Sequence, residues 1–233
     1  MKSYGQYCSV AKALDVVGDR WTLLIVRELL TQGPCRYTDL RAGLPGIASN
    51  LLATRLREME AAGLITRTAA PPPIATTLFE LTARGRELQD VLYALGRWGI
   101  DLMVGADGTD EFRSNWFAFP AEVFLRDTDP AAPGVTIGLD AGDAAPVHLA
   151  VGHGAVELRR GPAPSPDLVL AGDPRLIMAV LVGKLSLTGA RARGLTATGD
   201  PAVLPRAVPA APVDRGHRAG RGSGSPARPP AAG

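Results

Sequence analysis

The chain has 233 residues, which is enough for one or two domains with a sizeable hydrophobic core. Its 46% of hydrophobic residues is typical of a globular protein, and a formal net charge of +2 is too small to indicate a nucleic-acid partner by itself. The two cysteines exclude a disulfide framework, and the lack of a long apolar run or a secretory leader predicts a cytoplasmic protein with no membrane partner.

Helical spacing of apolar residues predicts four helices before the first strand. Two of them lie between residues 8 and 32 and are separated at Gly18-Asp19, where Asp19 is the expected N-cap of the second helix. A shorter helix follows from about Tyr37 to Ala42. Residues 49–67, "SNLLATRLREMEAAGLITR", then predict a capped amphipathic helix that continues directly into a strand.

Two short strands and a long helix follow. Residues 64–68 and 77–81 are β-type runs joined by the Pro-rich tip "AAPPPIA". Thr82 is the expected N-cap of a long apolar helix that ends near Gly105. A helix-turn-helix pair followed directly by a two-stranded hairpin is the arrangement of a winged-helix domain.

The fourth helix has two unlike faces. At about 100° per residue, one broad arc is apolar and must face the core. It contains Ile47, Leu51, Leu52, Leu56, Met59, Ala62 and Gly63. The opposite arc carries Asn50, Thr54 and Arg57, with Ser49 at its edge. Such side chains hydrogen-bond base edges and phosphates in a major groove, although on this helix alone an ordinary solvated face is an equal alternative.

Three sequence blocks resemble, in order, the HxlR family of bacterial transcriptional regulators. They are "CSVAKALDVVGDRWTLLIVRELL", "RYTDLRAGLPGIASNLLATRLREMEAAGLITR" and "FELTARGRELQDVLYALGRWG", within residues 4–104. The resemblance implies a MarR-like winged helix that binds double-stranded operator DNA as a homodimer. Residues 88–102, together with residues 7–14, would form the dimer interface.

The predicted DNA-binding residues are Arg36, Ser49, Asn50, Thr54, Arg55, Arg57 and Arg67. Arg57 is the better groove candidate because it lies on the polar arc. Arg55 lies on the apolar arc, so a structural ion pair is as good an interpretation as a phosphate contact. Arg36 precedes the helix pair and Arg67 enters the wing, where each would contact a phosphate. The wing segment "PPPIATTLF" departs from the family pattern, which puts wing contacts in doubt.

Cys8 lies where HxlR-like proteins often carry a cysteine, and some members use that residue to sense oxidants or electrophiles. Lys12, one helical turn later, would help to stabilise a thiolate. The alternative is a small buried residue in a dimer-forming helix.

From residue 115 the pattern changes to strands with one further helix. "GVTIGLD" and "VHLAVGHGAVELRRG" predict alternating strands after an apolar segment, "NWFAFPAEVFLRD", that Pro120 interrupts. Asp173-Pro174 opens a predicted helix, apolar nearly all round to Leu187, and "GLTATGD" is a last strand. No catalytic set or cofactor motif is expected. No metal site is expected either, since His148 and His153 would point to opposite faces of a strand.

The order of these segments resembles the sterol carrier protein-like fold, an α/β domain with an apolar ligand tunnel. The resemblance implies that residues of the apolar helix line a cavity, with a packed core as the alternative. These ligand-binding candidates are Ile177, Met178, Leu181 and Leu185. Residues 205–233 hold five basic and one acidic side chain with few large apolar residues, which predicts a disordered tail.

The sequence therefore predicts an α+β protein with three parts. These are a winged helix-turn-helix domain over residues 1–104, a sterol carrier protein-like domain over residues 115–204 and a disordered tail over residues 205–233. The predicted function is sequence-specific transcription regulation by a dimer on a pseudo-palindromic operator, with an apolar small molecule as the effector. The alternatives are an apolar-ligand carrier protein, a thiol-based redox regulator acting through Cys8, and an enzyme, against which the missing catalytic set argues.

Overall fold

The N-terminal part of the structure is a winged helix-turn-helix. The computed structural model describes residues 3–70, 76–103, 110–142 and 145–209. The elements of this part are α1 (Ser9–Val17), α2 (Thr22–Gln32), β1 (Cys35–Arg36), α3 (Tyr37–Ala42), α4 (Ser49–Ala61), β2 (Ile65–Ala69), β3 (Thr77–Leu81), α5 (Ala83–Arg86) and α6 (Leu88–Gly99). The three strands form an antiparallel sheet in the order β1-β3-β2. This arrangement confirms the predicted order of elements and adds the short strand β1.

The helix-turn-helix pair is held by one hydrophobic core. Leu52, Leu56 and Met59 of α4 are buried against Ile25 of α2 and Leu40 of α3. At the end of α4, the Leu64 amide donates to the Met59 carbonyl and the Gly63 amide to the Glu60 carbonyl, which is a Schellman motif. The motif turns the chain out of the helix and directly into the wing.

Two predicted helix caps have different outcomes. Asp19 was wrongly expected to cap α2, whose N-cap is Trp21 with no side-chain cap; the Asp19 carboxylate pairs with Arg55 instead. Thr82 is confirmed as a cap, because its Oγ1 accepts from the Gly85 amide at 3.1 Å. The helix that Thr82 opens is not continuous, however, since α5 and α6 are separated at Glu87.

A connecting segment packs against both halves of the chain. It contains a 3-10 helix (Ser114–Phe117) and α7 (Ala118–Phe124). Pro120 does not interrupt this segment, because the proline lies in the first turn of α7, where a missing N–H removes no helical hydrogen bond. Phe117 belongs to the C-terminal core, whereas Phe119 packs against the N-terminal core.

The C-terminal part is a five-stranded sheet covered by helices. Its elements are β4 (Leu125–Asp127), β5 (Val135–Asp140), β6 (Val147–Gly152), β7 (Ala155–Arg160), β8 (Leu168–Ala171), α8 (Pro174–Leu181), α9 (Leu187–Arg191), β9 (Thr196–Gly199) and β10 (Ala207–Pro209). The sheet order is β7-β6-β5-β8-β9, with only the β5–β8 pair parallel among these strands. The predicted hairpin is confirmed, but His153 lies in its turn, with φ of 53°, and not on a strand. The whole chain is therefore α+β, as predicted.

Helix α8 is shorter than predicted. Asp173 caps it by accepting from the Arg175 amide at 2.8 Å, in agreement with the sequence. The helix was expected to reach Leu187 but ends at Leu181, because Gly183 adopts a φ of 71° and completes a second Schellman motif. In that motif the Lys184 amide donates to the Ala179 carbonyl.

The chain remains ordered beyond residue 205, so the predicted start of the disordered tail is wrong. Strand β10 pairs with β4 and places Ala207 in the core. Arg206 Nε donates to Asp127 Oδ1 at 2.9 Å, and the Gly154 amide donates to Asp127 Oδ2 at 3.2 Å. The Arg206 guanidinium holds the pKa of the buried Asp127 carboxyl down at about 2. Residues 210–233 of the predicted tail lie outside the described residues.

Two truncated chains would test this anchor. A chain that ends at Pro205 loses Arg206 and Ala207, so it leaves the buried Asp127 charge unpaired and opens the core. We expect it to melt at a clearly lower temperature than the full chain. A chain that ends at Pro209 keeps both contacts and should melt like the full chain in the same differential scanning measurement. Equal melting temperatures for the two truncated chains would contradict a structural role for β10.

Candidate nucleic-acid interface

Helix α4 presents its predicted polar face to solvent. Leu52, Leu56 and Met59 of the predicted apolar arc are each at most 2% exposed, whereas Gly63 at its end is exposed and not part of the core. On the opposite side, Ser49, Asn50 and Arg57 are exposed and Thr54 is half-buried. The helix phase derived from the sequence is therefore correct.

The start of α4 is fixed by a neighbouring helix and not by a side-chain cap. Its N-cap is Ala48, whose side chain makes no capping hydrogen bond, so the expectation of a capped helix is wrong in that respect. The Tyr37 hydroxyl donates to the Ser49 carbonyl at 2.7 Å and ties the start of α3 to the start of α4. The role of Tyr37 was not predicted, because a tyrosine at the start of a short helix gives no sequence signal of this contact.

Arg57 lies along the polar face of α4. Its Nη2 donates to Thr54 Oγ1 at 3.2 Å and its Nε donates to the Ala53 carbonyl at 3.4 Å. No salt bridge to Arg57 occurs within the described part of the chain. The guanidinium is thus oriented by its own helix while its charge remains available to an anionic partner.

Arg55 has a different environment. Its guanidinium pairs with Asp19 and, at 2.5 Å, with Glu58. The Arg55 side chain is only 18% exposed, and its Nε is buried without a hydrogen-bond partner. These contacts favour the structural alternative, in which Arg55 links α4 to the loop before α2.

The two outer arginines also differ from each other. Arg36 is exposed, and its backbone amide donates to Asp39 Oδ2 at 3.1 Å. Arg67 pairs with Glu60 at 2.6 Å and lies over the Phe79 ring at 5.6 Å. A phosphate contact by Arg67 would have to compete with Glu60. The wing tip, residues 71–75, lies outside the described residues.

Cys8 is exposed at the N-terminus of α1. Hydrogen bonds from the Ala11 and Val10 amides lower the pKa of its thiol. The expected help from Lys12 is absent, because the Lys12 ammonium lies 3.7 Å from Asp15 Oδ2. The other thiol, Cys35, is buried, and burial raises its pKa to about 11.

Helices α1 and α6 each expose an apolar face. The exposed residues of α1 and its approach include Tyr7, Val10 and Leu14, and Tyr7 is fully accessible. The exposed stripe of α6 and the turn after it includes Val91, Leu95, Trp98 and Leu102. Exposed apolar faces of this extent are typical of surfaces that associate with a partner.

A buried carboxylate that the sequence analysis missed joins the two halves of the molecule. Glu28 of α2 is fully buried and accepts hydrogen bonds from Arg27, Gln32, Asn115 and Trp116. The Trp116 Nε1 bond is 2.7 Å, and the Arg27 guanidinium stacks 4.4 Å from the Trp116 ring centre. A helical projection of α2 would have shown Glu28 on the apolar arc, but two of its partners, Asn115 and Trp116, lie far away in the sequence.

The predicted ligand-binding residues of the C-terminal part form its core. Ile177, Met178 and Leu181 are buried in the main hydrophobic cluster, and Leu185 packs against it. This placement favours the alternative of a packed domain over a tunnel along α8.

Two kinds of feature, a membrane-spanning helix and a group of metal ligands, are absent from the described ranges. No helix there combines the length and hydrophobicity that a membrane crossing requires. No three or more His, Cys, Asp or Glu side chains are grouped there as metal ligands.

Comparison with known proteins identifies relatives of the N-terminal part. The model of the HxlR-like helix-turn-helix family matches residues 16–105. The HTH-type transcriptional regulator sll1512 of Synechocystis sp. is 37% identical over 97 residues, covering 42% of this chain and 71% of that protein. YvaP of Bacillus subtilis, another HTH-type transcriptional regulator, is 32% identical over 90 residues, covering 39% of this chain and 82% of that protein. The solved structure of the HTH-type regulator ytcD is 32% identical, covers 41% of this chain and 97% of that chain, and has a TM-score of 0.38.

The packing of α4 yields a stability prediction. Leu56→Ala removes a fully buried side chain from the centre of the helix-turn-helix core, so we expect a loss of about 2–5 kcal/mol in the free energy of unfolding. Chemical denaturation would measure it. Arg57→Ala, one residue later but exposed, is the matched control and should leave the unfolding midpoint nearly unchanged. Equal stability of Leu56→Ala and the parent would mean that the helix faces are misassigned.

Proposed function

Because the chain belongs to the HxlR-like helix-turn-helix family and is a transcriptional regulator with a helix-turn-helix DNA-binding domain, we propose that it binds a pseudo-palindromic operator as a homodimer. In this arrangement α4 enters the major groove, once in each half-site. Two copies of α4 related by the two-fold axis would read the two halves of the operator.

The observation that carries this proposal is the exposed polar face of α4. Asn50 and Arg57 project from the side opposite the buried leucines, and Arg57 has no acidic partner in the described ranges. Asparagine and arginine make bidentate hydrogen bonds to adenine and guanine edges. Ser49 and Thr54 are short enough to let the helix approach the bases and to donate to phosphates.

The remaining predicted contacts fall into two groups. Arg36, exposed at the start of α3, is proposed to contact a phosphate, and Arg67 is proposed to do so once it separates from Glu60. Arg55 is proposed to act indirectly, because its ion pairs with Asp19 and Glu58 hold α4 against the loop before α2.

The proposed dimer interface combines the apolar faces of α1 and α6. Val91, Leu95 and Trp98 repeat at helical spacing along α6, so they form one stripe. Burying this stripe against its symmetry mate would remove the largest exposed apolar side chains of the winged-helix part from water. The interface would also fix the spacing between the two copies of α4.

For the C-terminal part we propose a sterol carrier protein-like domain that responds to a small molecule. The hairpin, the Asp173 cap of α8 and the closing strand β9 support the likeness. The filled core around Ile177 and Met178 counts against an apolar ligand along α8. The alternative function, an apolar-ligand carrier protein without a regulatory role, predicts that the chain does not retain operator DNA. A DNA-binding measurement therefore distinguishes the two functions. Redox control through Cys8 would require an oxidant to change operator affinity, with loss of that response in Cys8→Ser.

The DNA face can be tested on fragments that the purified protein retains from a genomic library. Arg57→Ala and Asn50→Ala should each cost about 1–3 kcal/mol of binding free energy to the selected fragment, because each removes one base contact. Fluorescence anisotropy at a fixed salt concentration would measure the loss. Arg159→Ala, which removes the same charge from the C-terminal sheet, is the control for non-specific attraction. Unchanged affinity in both α4 variants would refute the assignment of this face.

The dimer stripe can be tested with Leu95→Glu. A carboxylate in the centre of the stripe would be buried without a partner, so we expect dimer affinity to fall by at least about tenfold. Analytical ultracentrifugation over a range of protein concentrations would measure the dissociation constant. Arg97→Glu introduces the same carboxylate on α6 outside the stripe and should leave the dimer intact. If the Leu95→Glu protein dimerised like the parent, the interface would have to lie elsewhere on the chain.

A further inference from the structure

A large open cleft lies at the boundary between the two halves of the described chain. This boundary cleft has a volume of about 830 Å³ and is formed by the end of α2, residues 110–115, the start of β6, the end of β7 and the start of α8. A second cleft of about 430 Å³ adjoins it. The two share Gln32, Arg113, Asn115 and Arg160. Neither contains the predicted ligand-binding residues of α8.

Three arginines from separate segments line the boundary cleft. Arg160, exposed at the end of β7, makes no salt bridge to any described residue. Arg113 lies 3.8 Å from Glu111, and its buried Nε has no hydrogen-bond partner. Arg175 lies 3.6 Å from Asp173 and donates to the Asp110 carbonyl at 3.3 Å. The Arg113 side chain is nevertheless 40% exposed, so a ligand in the cleft can supply an acceptor to its guanidinium.

The charge and the apolar lining together define the kind of ligand. The described lining residues include three arginines and two acidic side chains, Asp110 and Glu111, and Arg160 makes no salt bridge to a described residue. Phe112, Pro146 and Pro162 supply apolar surface beside these charges, and Phe112 is held edge-on against Trp116 and Phe117. Sites of this volume, mostly apolar with a few placed polar groups, are typical of small-molecule binding.

We propose that the boundary cleft binds a small organic anion, with the carboxylate or phosphate at Arg113 and Arg160 and an apolar body against Phe112. Arginine pairs with both kinds of anion through two parallel hydrogen bonds. The site is distinct from a tunnel in the C-terminal core, because it lies between the two halves of the chain.

The cleft is connected to the buried carboxylate of α2. Gln32 and Asn115, which line the cleft, both donate to Glu28. A bound anion that accepts a hydrogen bond from either amide changes the set of donors around Glu28. This change would shift the position of α2. Because α2 packs against α3 and β3, such a change would reach the helix-turn-helix. This regulatory part rests on the proposed DNA binding and acts only if the anion binds the two arrangements with different affinity.

Calorimetric titration of the full chain would test the site without DNA. The probes are benzoate and phenylphosphate, with benzamide and benzyl alcohol as neutral counterparts of the same shape. We expect at least one anion to bind saturably with a dissociation constant on the order of 1 mM or tighter. The two anions separate a carboxylate site from a phosphate site. Absence of binding by both, or equal binding of the neutral compounds, would overturn the proposal.

Two variants of neighbouring residues locate the binding. Arg160→Gln should weaken anion binding by at least about tenfold, the equivalent of losing one charged contact. Arg159→Gln should leave it unchanged, because successive side chains of a strand point to opposite faces. Arg113→Gln provides a second variant from a different segment. Equal binding by Arg160→Gln, Arg113→Gln and the parent would place the anion elsewhere and refute the site.

Operator binding then tests the coupling separately. The anion that binds should change operator affinity in the parent and in Arg159→Gln, but not in Arg160→Gln. Anion binding with unchanged operator affinity in the parent would refute the coupling through Glu28. Failure of the chain to retain any DNA fragment would count against the proposed function and not against the cleft.

Discussion

The buried carboxylate of Glu28 is the interaction on which the relation between the two halves depends. A charge removed from water is tolerated only when several hydrogen bonds replace its hydration. Glu28 receives donors from its own helix, through Arg27 and Gln32, and from the connecting segment, through Asn115 and Trp116. The connecting segment therefore cannot leave α2 without removing two of the hydrogen bonds to this buried carboxylate.

The same carboxylate constrains the helix-turn-helix. Gly43, which ends α3, approaches Glu28 so closely that a side chain at this position would collide with the carboxylate. Arg27 also donates to the Gly43 carbonyl at 3.4 Å. The end of α3, the middle of α2 and the connecting segment thus meet at one group. A change in the donors around Glu28 would therefore act on α2 and on the end of α3.

A second contact region joins the C-terminal part to α6. The Phe119 ring lies against Gly96, where a side chain would collide with it, and stacks edge-on with Tyr93 at 5.5 Å. Burial and the neighbouring Glu122 raise the pKa of the Tyr93 hydroxyl, which donates to Glu122. Lys184 pairs with Asp101 at 3.3 Å beyond the end of α6. One face of α6 therefore packs against α7, and its apolar stripe faces solvent.

Much of the N-terminal architecture was predictable because its signals are local. The bounds of α3, the Thr82 cap and the buried arc of α4 follow from spacing and capping rules that involve residues within one or two turns. The same holds for the hairpin and the Asp173 cap in the C-terminal part. The exposed polar face of α4 was also predictable, since a helix phase fixes both faces at once.

The parts that were not predicted depend on partners distant in the sequence. Residues 206–209 lack large apolar side chains, yet Arg206 reaches the buried carboxylate of Asp127 at the end of β4, and composition gives no signal of such a pair. Arg55 was left between two interpretations because its partner Asp19 lies 36 residues earlier. Helix α8 ends at the Gly183 turn, and Leu185 packs against the core from outside the helix, so an apolar run alone did not reveal the end of the helix.

The position of any effector follows from the same packing. A ligand along α8 would have to displace Ile177, Met178 or Leu181 from a filled core, and each displaced side chain would cost free energy comparable to a large-to-small core substitution, about 2–5 kcal/mol. The boundary cleft is already open, so a ligand there displaces only water. Two of its lining residues, Gln32 and Asn115, donate hydrogen bonds to Glu28, whereas no described residue of the C-terminal core does so. A small molecule bound at the boundary between the halves would therefore act on the helix-turn-helix more directly than one bound inside the C-terminal core.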